Sequence, residues 1–393
     1  MLLAGDVGGT HTRLGLFTAN GPRPLPRDVR TYSTGAFATI DAMLSAFLAD
    51  AGATPGTVTA AAFGVAGPVV HGRASLTNVS WQVDAAVIAR ALGLADVRLL
   101  NDLTAMACAI PVLTAAEWHT LQAGTANPDG NIALIAPGTG LGEAHLIRAD
   151  GAWVPSPSEG GHADFAARTP REVELLAFLT GQFGRADYER VISGPGLVHI
   201  HRFAHRTPCG VVDPQAPDAA ARISASALDR RCDACIETLD IFVSALGAEA
   251  GNTALRTVAT GGVFLGGGIP PKILPALETP GFLDAFRAKA PCRTCWHRSR
   301  STSSCIPIPA CSARRSRRGA DARGRSCQAE AGDTSAEPLL SVDRCSRALQ
   351  HCAGRRRCAS DTLPAFSSRN PTKECRPWPS PHHPVPHQAT EAS

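Results

Sequence analysis

Five residues near the N-terminus have the types and spacing of a phosphate-binding turn. Asp6-Val7-Gly8-Gly9-Thr10 lies between an apolar segment and the alternating segment Arg13–Phe17, which predicts two strands joined by a tight turn. The two glycines have no Cβ, so their N–H groups can approach a ligand closely. Asp6 and Thr10 add a carboxylate and a hydroxyl, and magnesium-bound phosphates need these groups. An ordinary Gly-Gly hairpin explains the same residues equally well.

A second stretch repeats this pattern later in the chain. Asn131–Ala136 has a strand pattern and runs into Gly138-Thr139-Gly140-Leu141-Gly142, after which the chain is apolar again. Neither turn ends in Gly-Lys-Ser/Thr and neither opens a helix, which excludes a Walker loop and a dinucleotide fingerprint. Two such turns favour two similar domains that face one nucleotide. A third strand–glycine unit, Thr257–Gly268, would let a flat base rest against backbone.

Asp102 is a candidate general base. It follows the strand predicted at Val97–Leu100 and precedes the helix predicted at Leu103–Ile110. Strands alternate with helices through this region, which predicts an α/β fold, and ligands of such sheets bind at strand carboxyl ends. A carboxylate there is well placed to accept a proton. Position alone, however, favours a helix N-cap, a role worth about 1 kcal/mol.

Further polar loops carry side chains suited to holding a sugar. Ser158-Glu159-Gly160-Gly161-His162 places a carboxylate and an imidazole three residues apart, with too few neighbouring ligands for a metal site. Asn78 lies in the polar loop Leu76–Trp81, and Glu189 precedes another turn. Cys232-Asp233-Ala234-Cys235 is a lone CxxC pair, and no second pair in the body supports a redox or metal role.

Charge and cysteine content change near residue 290. Residues 291–393 carry sixteen Arg, one Lys and eight acidic residues, a net charge of +9, so residues 1–290 carry −5 within a chain of net charge +4. Nine of the thirteen cysteines also lie after 290, and the mildly acidic body is typical of a reduced cytoplasmic enzyme. The basic tail does not indicate a nucleic-acid partner. We expect no membrane partner either, because no apolar run reaches transmembrane length and no signal-peptide pattern is evident.

Seven motifs in order resemble the bacterial glucokinase family, in the hexokinase branch of the actin-like ATPase superfamily. They are GDVGGTHTRL, GVAGPV with LTNVSW, LLNDLTAMACAIP, GTGLGEAHL, SEGGHADFA, ERVISGPGL and GGVFLGGGI. The cysteine zinc motif of the related ROK sugar kinases is missing. The resemblance implies two actin-like, ribonuclease H-like α/β domains with an active-site cleft between them. The small domain would span 1–112 and the large domain 113–290, followed by a non-family tail at 291–393.

The resemblance also implies an activity and a set of site residues. The activity is ATP- and Mg²⁺-dependent phosphorylation of D-glucose to glucose 6-phosphate, the entry to glycolysis, in a cytoplasmic enzyme that often forms homodimers. Asp102 would be the catalytic base and Asp6 would orient hydrated Mg²⁺. The implied ATP-binding residues are Gly8, Gly9, Thr10, Gly138, Thr139, Gly140, Gly261, Gly262, Gly266, Gly267 and Gly268, and the implied glucose-binding residues are Asn78, Asn101, Glu159, His162 and Glu189. A kinase for another hexose or amino sugar, or an impaired sugar-binding protein, remains open.

Two positions depart from the family pattern. Ser158 stands where glycine is usual, and serine tolerates fewer backbone angles, so the shape of this loop is in question. His11 stands where asparagine is usual, beside the expected phosphates.

The tail lacks the strand, Pro-rich turn and helix with which family members end. We expect it to be disordered, and a zinc module of Cys292, Cys295, Cys305 and Cys311 is a second interpretation. A frameshift is the third. With G or C at every third codon position, Cys295–Arg315 read from the last base of each codon becomes LAPVPVHVVLHPDPGLLGAA, a plausible strand, turn and helix start. A chain without the native ending should be marginally stable or poorly active, and resequencing the gene tests the shift.

Overall fold

The computed structural model describes residues 1–19, 23–76, 79, 81–205 and 209–290, and the backbone of 303–305. Its strands are β1 (Leu2–Val7), β2 (His11–Thr18), β3 (Leu25–Ser33), β4 (Ala60–Val65), β5 (Arg73–Ser75), β6 (Gln82–Asp84), β7 (Arg98–Asn101), β8 (His119–Gln122), β9 (Ile132–Pro137), β10 (Leu141–Ala149), β11 (Ala152–Ser158), β12 (Gly262–Leu265) and β13 (Ser303–Cys305). Its α-helices are α1 (Ile40–Asp50), α2 (Ala85–Leu92), α3 (Asp102–Ala109), α4 (Pro170–Phe183), α5 (Gly194–Ala204), α6 (Ala219–Leu228), α7 (Asp233–Thr257), α8 (Leu274–Leu277) and α9 (Pro280–Arg287). Within these described ranges, no helix is both long and apolar enough to cross a bilayer.

The N-terminal sheet has the strand order β3-β2-β1-β4-β7. β1 and β2 form the antiparallel hairpin that the first glycine turn, Gly8-Gly9, predicts. β1, β4 and β7 run parallel. Val7 lies beside Val65 in this register, and Val65 lies beside Asn101. The carboxyl ends of the three parallel strands therefore meet at one edge of the sheet, which is where the first glycine turn and the start of α3 lie.

Two helices with side-chain N-caps pack on this sheet. α1 begins after Thr39, whose Oγ1 accepts the Ala42 N–H at 3.2 Å, and α2 begins after Asp84, whose carboxylate accepts the Ala86 N–H at 2.8 Å. Burying a Leu, Ile, Phe or Met side chain contributes about 1.5–3 kcal/mol, so the shared core stabilises the strand register. The core residues of α1 are Ile40, Met43, Leu44, Phe47 and Leu48, and those of β1 and β2 include Leu3, Val7, Leu14 and Leu16.

The second sheet has the order β11-β10-β9-β12-β13-β8. β9 is buried along its whole length, as its uninterrupted apolar sequence predicts. It runs antiparallel to β10 and parallel to β12, so the second glycine turn is also a hairpin turn. Helices α5, α6, α7 and α9 build the core on this sheet, and most residues of α7 are buried.

Helix α3 contacts both sheets. Gly64 of β4 lies close to this helix: a Cβ on Gly64 would be 3.0 Å from the Cβ of Ala105. Ala107, on the same helix, is buried in a cluster with Leu134 and Ala144 of the second sheet. The helix that Asp102 begins is therefore held between the two sheets, and the domain boundary near residue 112 stays a prediction.

A short strand lies beyond Ala290, where the sequence pattern predicts none. β13 pairs in parallel with β12 and antiparallel with β8. It falls inside Cys295–Arg315, the segment for which the hypothetical shifted reading frame would give a strand-like pattern. The backbone thus occupies a position between β12 and β8, while the frameshift and the zinc module stay hypotheses, because the cysteine side chains concerned lie outside the described residues.

Candidate active site

Hydrogen bonds from Thr34 stabilise the first glycine turn. The Gly8 N–H donates to the His11 carbonyl at 3.1 Å, which closes the turn between β1 and β2. The Thr34 hydroxyl donates to the Gly8 carbonyl at 2.7 Å, and its N–H donates to the Thr10 carbonyl at 2.9 Å. His11 takes part in the turn through its backbone, while its side chain is exposed. These bonds give the turn one shape before any ligand arrives.

Asp6 and Asp102 lie at the shared edge of the N-terminal sheet. Asp6 pairs with Gly64 in the β1–β4 register, and a Cβ on Gly64 would lie 3.7 Å from the Asp102 Cα. Glycine at this position therefore lets the start of α3 lie against β4. The structure brings these two predicted carboxylates to the same place, beside the turn that carries Gly9 and Thr10.

Burial raises the pKa of both carboxyl groups. For Asp102, desolvation is the largest cause, hydrogen bonding to the Leu103 N–H opposes it, and the negative charge of Asp6 adds to the increase. For Asp6, desolvation also dominates, and the charge of Arg13 opposes it. A carboxylate that is harder to keep ionised is a stronger proton acceptor, so Asp102 has the electrostatics that a general base requires.

Asn101, rather than Asp102, caps helix α3. The Asn101 Oδ1 accepts the Leu103 N–H at 3.0 Å and the Thr104 N–H at 3.3 Å. Its Nδ2 donates to the Gly67 carbonyl at 3.2 Å. The N-cap interpretation of Asp102 is therefore wrong: Asp102 is the first helical residue, and its Oδ1 shares the Leu103 N–H with the cap residue Asn101, at 2.9 Å. Asn101 keeps one amide hydrogen for the role with glucose that the resemblance implies.

The second glycine turn is held by Glu189 and by the start of α5. The Gly138 N–H donates to the Gly140 carbonyl at 2.8 Å, and the Gly138 carbonyl accepts the Gly194 N–H at 2.8 Å. Glu189 Oε2 accepts the Leu141 N–H at 2.9 Å, and a Cβ on Gly140 would lie 2.5 Å from this oxygen. A predicted sugar ligand and a predicted phosphate turn are therefore in direct contact.

The loop of Glu159 and His162 lies beside the same turn. The Gly161 carbonyl accepts the Glu189 N–H at 2.8 Å, and the His162 Nε2 lies 4.0 Å from a Glu159 carboxylate oxygen. Both side chains are exposed. Ser158 adopts no positive φ, and its Oγ accepts the Gly160 N–H at 3.0 Å. Serine is therefore compatible with the backbone of this loop, although glycine is usual in the family.

A cavity of about 330 Å³ joins parts of these two loops. Its lining includes three predicted site residues, Thr139, His162 and Glu189. The other lining residues were not predicted from the sequence: Arg185, Asp187, Arg190, Ser193, Pro195 and His199. Arg190 is ion-paired with the buried Asp187. In the sequence, these two residues stand three apart, just before the Ser-Gly-Pro start of helix α5. This spacing is the signal from which the ion pair could have been predicted.

The glycines expected at adenosine lie at two different places. Gly266 and Gly267 follow β12 and lie beside the second turn: a Cβ on Gly267, whose φ is +81°, would overlap the Pro137 carbonyl oxygen. Gly268 has no heavy atom within 4 Å of a Cβ position, so its surface is open. Glycine is required at Gly267 by both space and backbone angle.

The structure does not bring Gly261 and Gly262 to this end of the sheet. Gly262 pairs with Ile132 at the amino end of β12, and the Gly261 N–H donates to the Asn131 carbonyl at 2.8 Å. Three residues lie between Gly262 and Gly266, and the four residue-to-residue steps of strand span about 13 Å. A Cβ on Gly261 would overlap the Gly130 carbonyl oxygen, and the role of Gly261 and Gly262 as adenosine ligands stays a prediction. The remaining predicted ligand, Asn78, lies outside the described residues.

Glu143 is a buried carboxyl group that lies against the Ser158–His162 loop. Its side chain is 2% exposed on β10, and a Cβ on Gly160 would overlap its Oε2. Burial first, then the charge of Glu249, raises the pKa of Glu143 to about 7, while Arg256 opposes the increase. The folded protein therefore retains this proton at pH values where the unfolded chain has released it.

This raised pKa predicts a loss of stability as pH increases. Below pH 4.5, Glu143 is protonated in both the folded and the unfolded state, and its contribution to stability is fully present. Between pH 4.5 and about 7 the unfolded chain releases the proton and the folded protein keeps it, so the free energy of unfolding falls by an amount on the order of 3 kcal/mol. Glu143→Gln should remove this dependence. Urea unfolding at pH 5 and pH 8 measures it, and an equally pH-dependent variant would contradict the assignment.

Comparison with known proteins agrees with this architecture. The crystal structure of a glucokinase from an Antarctic psychrotroph superposes with a TM-score of 0.68 at 29% identity, covering 78% of this chain and 94% of that one. The Balamuthia mandrillaris glucokinase, solved in complex with glucose, shares the fold with a TM-score of 0.59 at 19% identity, over 77% and 88% of the two chains. The fold is that of the two-domain, actin-like sugar kinases.

The sequence comparison identifies the family within that class. A family model described as glucokinase matches residues 3–299. The glucokinases of Nostoc punctiforme and Sinorhizobium medicae are 36% and 39% identical to the chain over 309 and 294 residues. Each alignment spans 74% of this chain, and 90% and 84% of the two relatives. The chain therefore belongs to the glucokinase family, which confirms the resemblance inferred from its motifs.

Proposed function

We propose that this protein transfers the γ-phosphoryl group of ATP to the 6-hydroxyl of D-glucose. The observation that carries the proposal is the state of Asp102: it is half-buried, has a raised pKa and follows Asn101, the residue that caps helix α3. It lies at the strand edge that also carries the first glycine turn. The names of the curated relatives give glucose and a kinase reaction.

The proposed reaction is an in-line displacement. The Asp102 carboxylate accepts the proton of the sugar 6-hydroxyl while that oxygen attacks the γ-phosphorus and the bond to the bridging oxygen of ADP breaks. N–H and hydroxyl groups of the two glycine turns, including those of Thr10 and Thr139, stabilise the charge on the transferred oxygens. Closure of the two domains over the sugar excludes water and so limits hydrolysis of ATP.

The residues at the sheet edge fit a magnesium ion. Carboxylate oxygens are the ligands that Mg²⁺ prefers, and Asp6 and Asp102 are two partly desolvated carboxyl groups whose charges repel each other. Asp6 would hold the hydrated ion beside the first turn. When bound, Mg²⁺ neutralises charge on the phosphates. We also propose that the enzyme is cytoplasmic and forms a homodimer.

Gly138→Ala tests whether the second turn binds phosphate. An added methyl group has no protein atom within 4 Å, so the thermal unfolding midpoint should not change. A phosphate against this backbone would be displaced, and we expect the KM for ATP to rise by up to about 100-fold, with the KM for glucose unaffected. Steady-state kinetics with each substrate varied in turn measures this. An unchanged KM for ATP would remove the turn from the nucleotide site.

A substrate panel separates glucose from the alternatives. ADP release by the purified chain is measured with glucose, mannose, glucosamine and N-acetylglucosamine at matched concentrations. We expect the highest kcat/KM with glucose, and a higher value with another sugar would assign the chain to that substrate. Glucose binding without ADP release would favour the impaired sugar-binding protein.

A further inference from the structure

Five cysteine and histidine side chains converge at the far end of helix α5. His201 and His205 lie at its C-terminal end, Cys209 precedes α6, and Cys232 and Cys235 flank the start of α7. Ligand atoms of His201, His205, Cys209 and Cys235 all lie within 4.8 Å of one another. The Cys232 Sγ lies 3.5 Å from the His205 Nε2 and 4.0 Å from the Cys209 Sγ.

These separations match those of ligands around one metal ion. With Zn–S bonds of about 2.3 Å and Zn–N bonds of about 2.0 Å, tetrahedral ligands lie about 3.5–3.8 Å apart. A disulfide requires sulfurs about 2.05 Å apart, and it would leave a third thiol and two imidazoles of the cluster unexplained. The cluster has the composition of a closed structural zinc site rather than of a redox pair.

His201 shows that the cluster is incomplete without a ligand. It is 1% exposed, and neither ring nitrogen has a hydrogen-bond partner among the described residues. Its ring centroid lies 4.2 Å from that of His205. An unpaired buried polar group destabilises the folded state, and a metal ion bound at this imidazole would offset that cost.

We propose that this cluster binds one Zn²⁺ through Cys209, Cys232, Cys235 and one imidazole of the His201–His205 pair. The N-terminus of α5 contacts the second glycine turn, and the cluster lies about 16 Å away at its other end. The ion therefore connects the end of α5, the approach to α6 and the start of α7. It stabilises the large-domain core and takes no part in phosphoryl transfer.

Metal analysis of the full chain tests the site. Zinc is measured by mass spectrometry after purification and after zinc titration followed by gel filtration. The Cys232→Ser/Cys235→Ser double variant should lose about one zinc per chain relative to the parent protein. The matched control is Cys292→Ser/Cys295→Ser, which removes a CxxC pair of the same spacing after residue 290 and should retain that zinc. Equal zinc content in the parent and the Cys232/Cys235 variant would overturn the proposal.

Two further measurements keep the test decisive if the double variant does not fold. Cys235→His preserves a ligand and should retain the zinc. Cobalt substitution of the parent should give the thiolate charge-transfer absorption of a tetrahedral site, and X-ray absorption should show three sulfur neighbours and one nitrogen neighbour. A cobalt complex of oxygen ligands only, or the absence of bound metal after titration, would contradict the site.

Discussion

Asp102→Asn should lower kcat by about 10²–10⁴-fold while leaving the affinity for glucose nearly unchanged. The amide has the size and polarity of the carboxylate but cannot accept the hydroxyl proton. The helix should remain intact, because Asn101 carries the N-cap through two hydrogen bonds. The loss should therefore appear in kcat, measured by ADP release, and not in the glucose dissociation constant, measured calorimetrically.

Asp41→Asn is the matched control for this substitution. Asp41 also lies in the first turn of a helix, and burial also raises its pKa, but it belongs to α1 and not to the site. We expect its kcat to equal that of the parent protein. An Asp102→Asn enzyme that keeps activity close to the parent value, with an unchanged thermal midpoint, would rule out the base assignment.

Gly247→Ala should reduce the free energy of unfolding by about 1–3 kcal/mol. Gly247 lies on α7 where α9 crosses it, and an added Cβ would overlap the Phe282 carbonyl oxygen and lie 3.0 Å from its carbon. Backbone cannot rotate away as a side chain can, so α9 must shift. The shift would disturb Phe282 and Phe286, which are both buried in the core of the second sheet.

Gly181→Ala gives the opposite sign and so isolates the contact. Gly181 is exposed on α4, and no heavy atom lies within 4 Å of its Cβ position. Alanine is the better helix former by about 1 kcal/mol, so this variant should be slightly more stable than the parent protein. Urea unfolding of both variants measures the difference, and a Gly247→Ala protein as stable as Gly181→Ala would contradict the close approach of α7 and α9.

The parts of the site that could be predicted from sequence follow from local rules. Gly8-Gly9 and the Gly138–Gly142 turn each stand between apolar strand patterns, and both are hairpin turns in the structure. Parallel strands then bring Asp6 and Asp102 to one edge without further information. The same local rules explain why helix α3, Asp102–Ala109, lies close to the predicted Leu103–Ile110.

Other features depend on contacts between distant segments. The choice of Asn101 over Asp102 as the N-cap is decided by a single residue of register, and both residues are common caps. Gly261-Gly262 and Gly266–Gly268 look alike in sequence, but they lie at opposite ends of β12. The sequence alone did not reveal partners for the CxxC pair Cys232–Cys235. Cys209 and the two histidines belong to other segments, which only folding brings close to it.

The most direct test of the proposed kinase activity, with Asp102 as its general base, is glucose-dependent formation of glucose 6-phosphate by the purified full chain. With Mg-ATP present, ADP and glucose 6-phosphate are quantified together, with and without glucose, for the parent protein and for Asp102→Asn. We expect one glucose 6-phosphate per ADP, little ADP without glucose, and loss of both products in the variant. ADP formation that does not depend on glucose, or product formation that survives in Asp102→Asn, would contradict it.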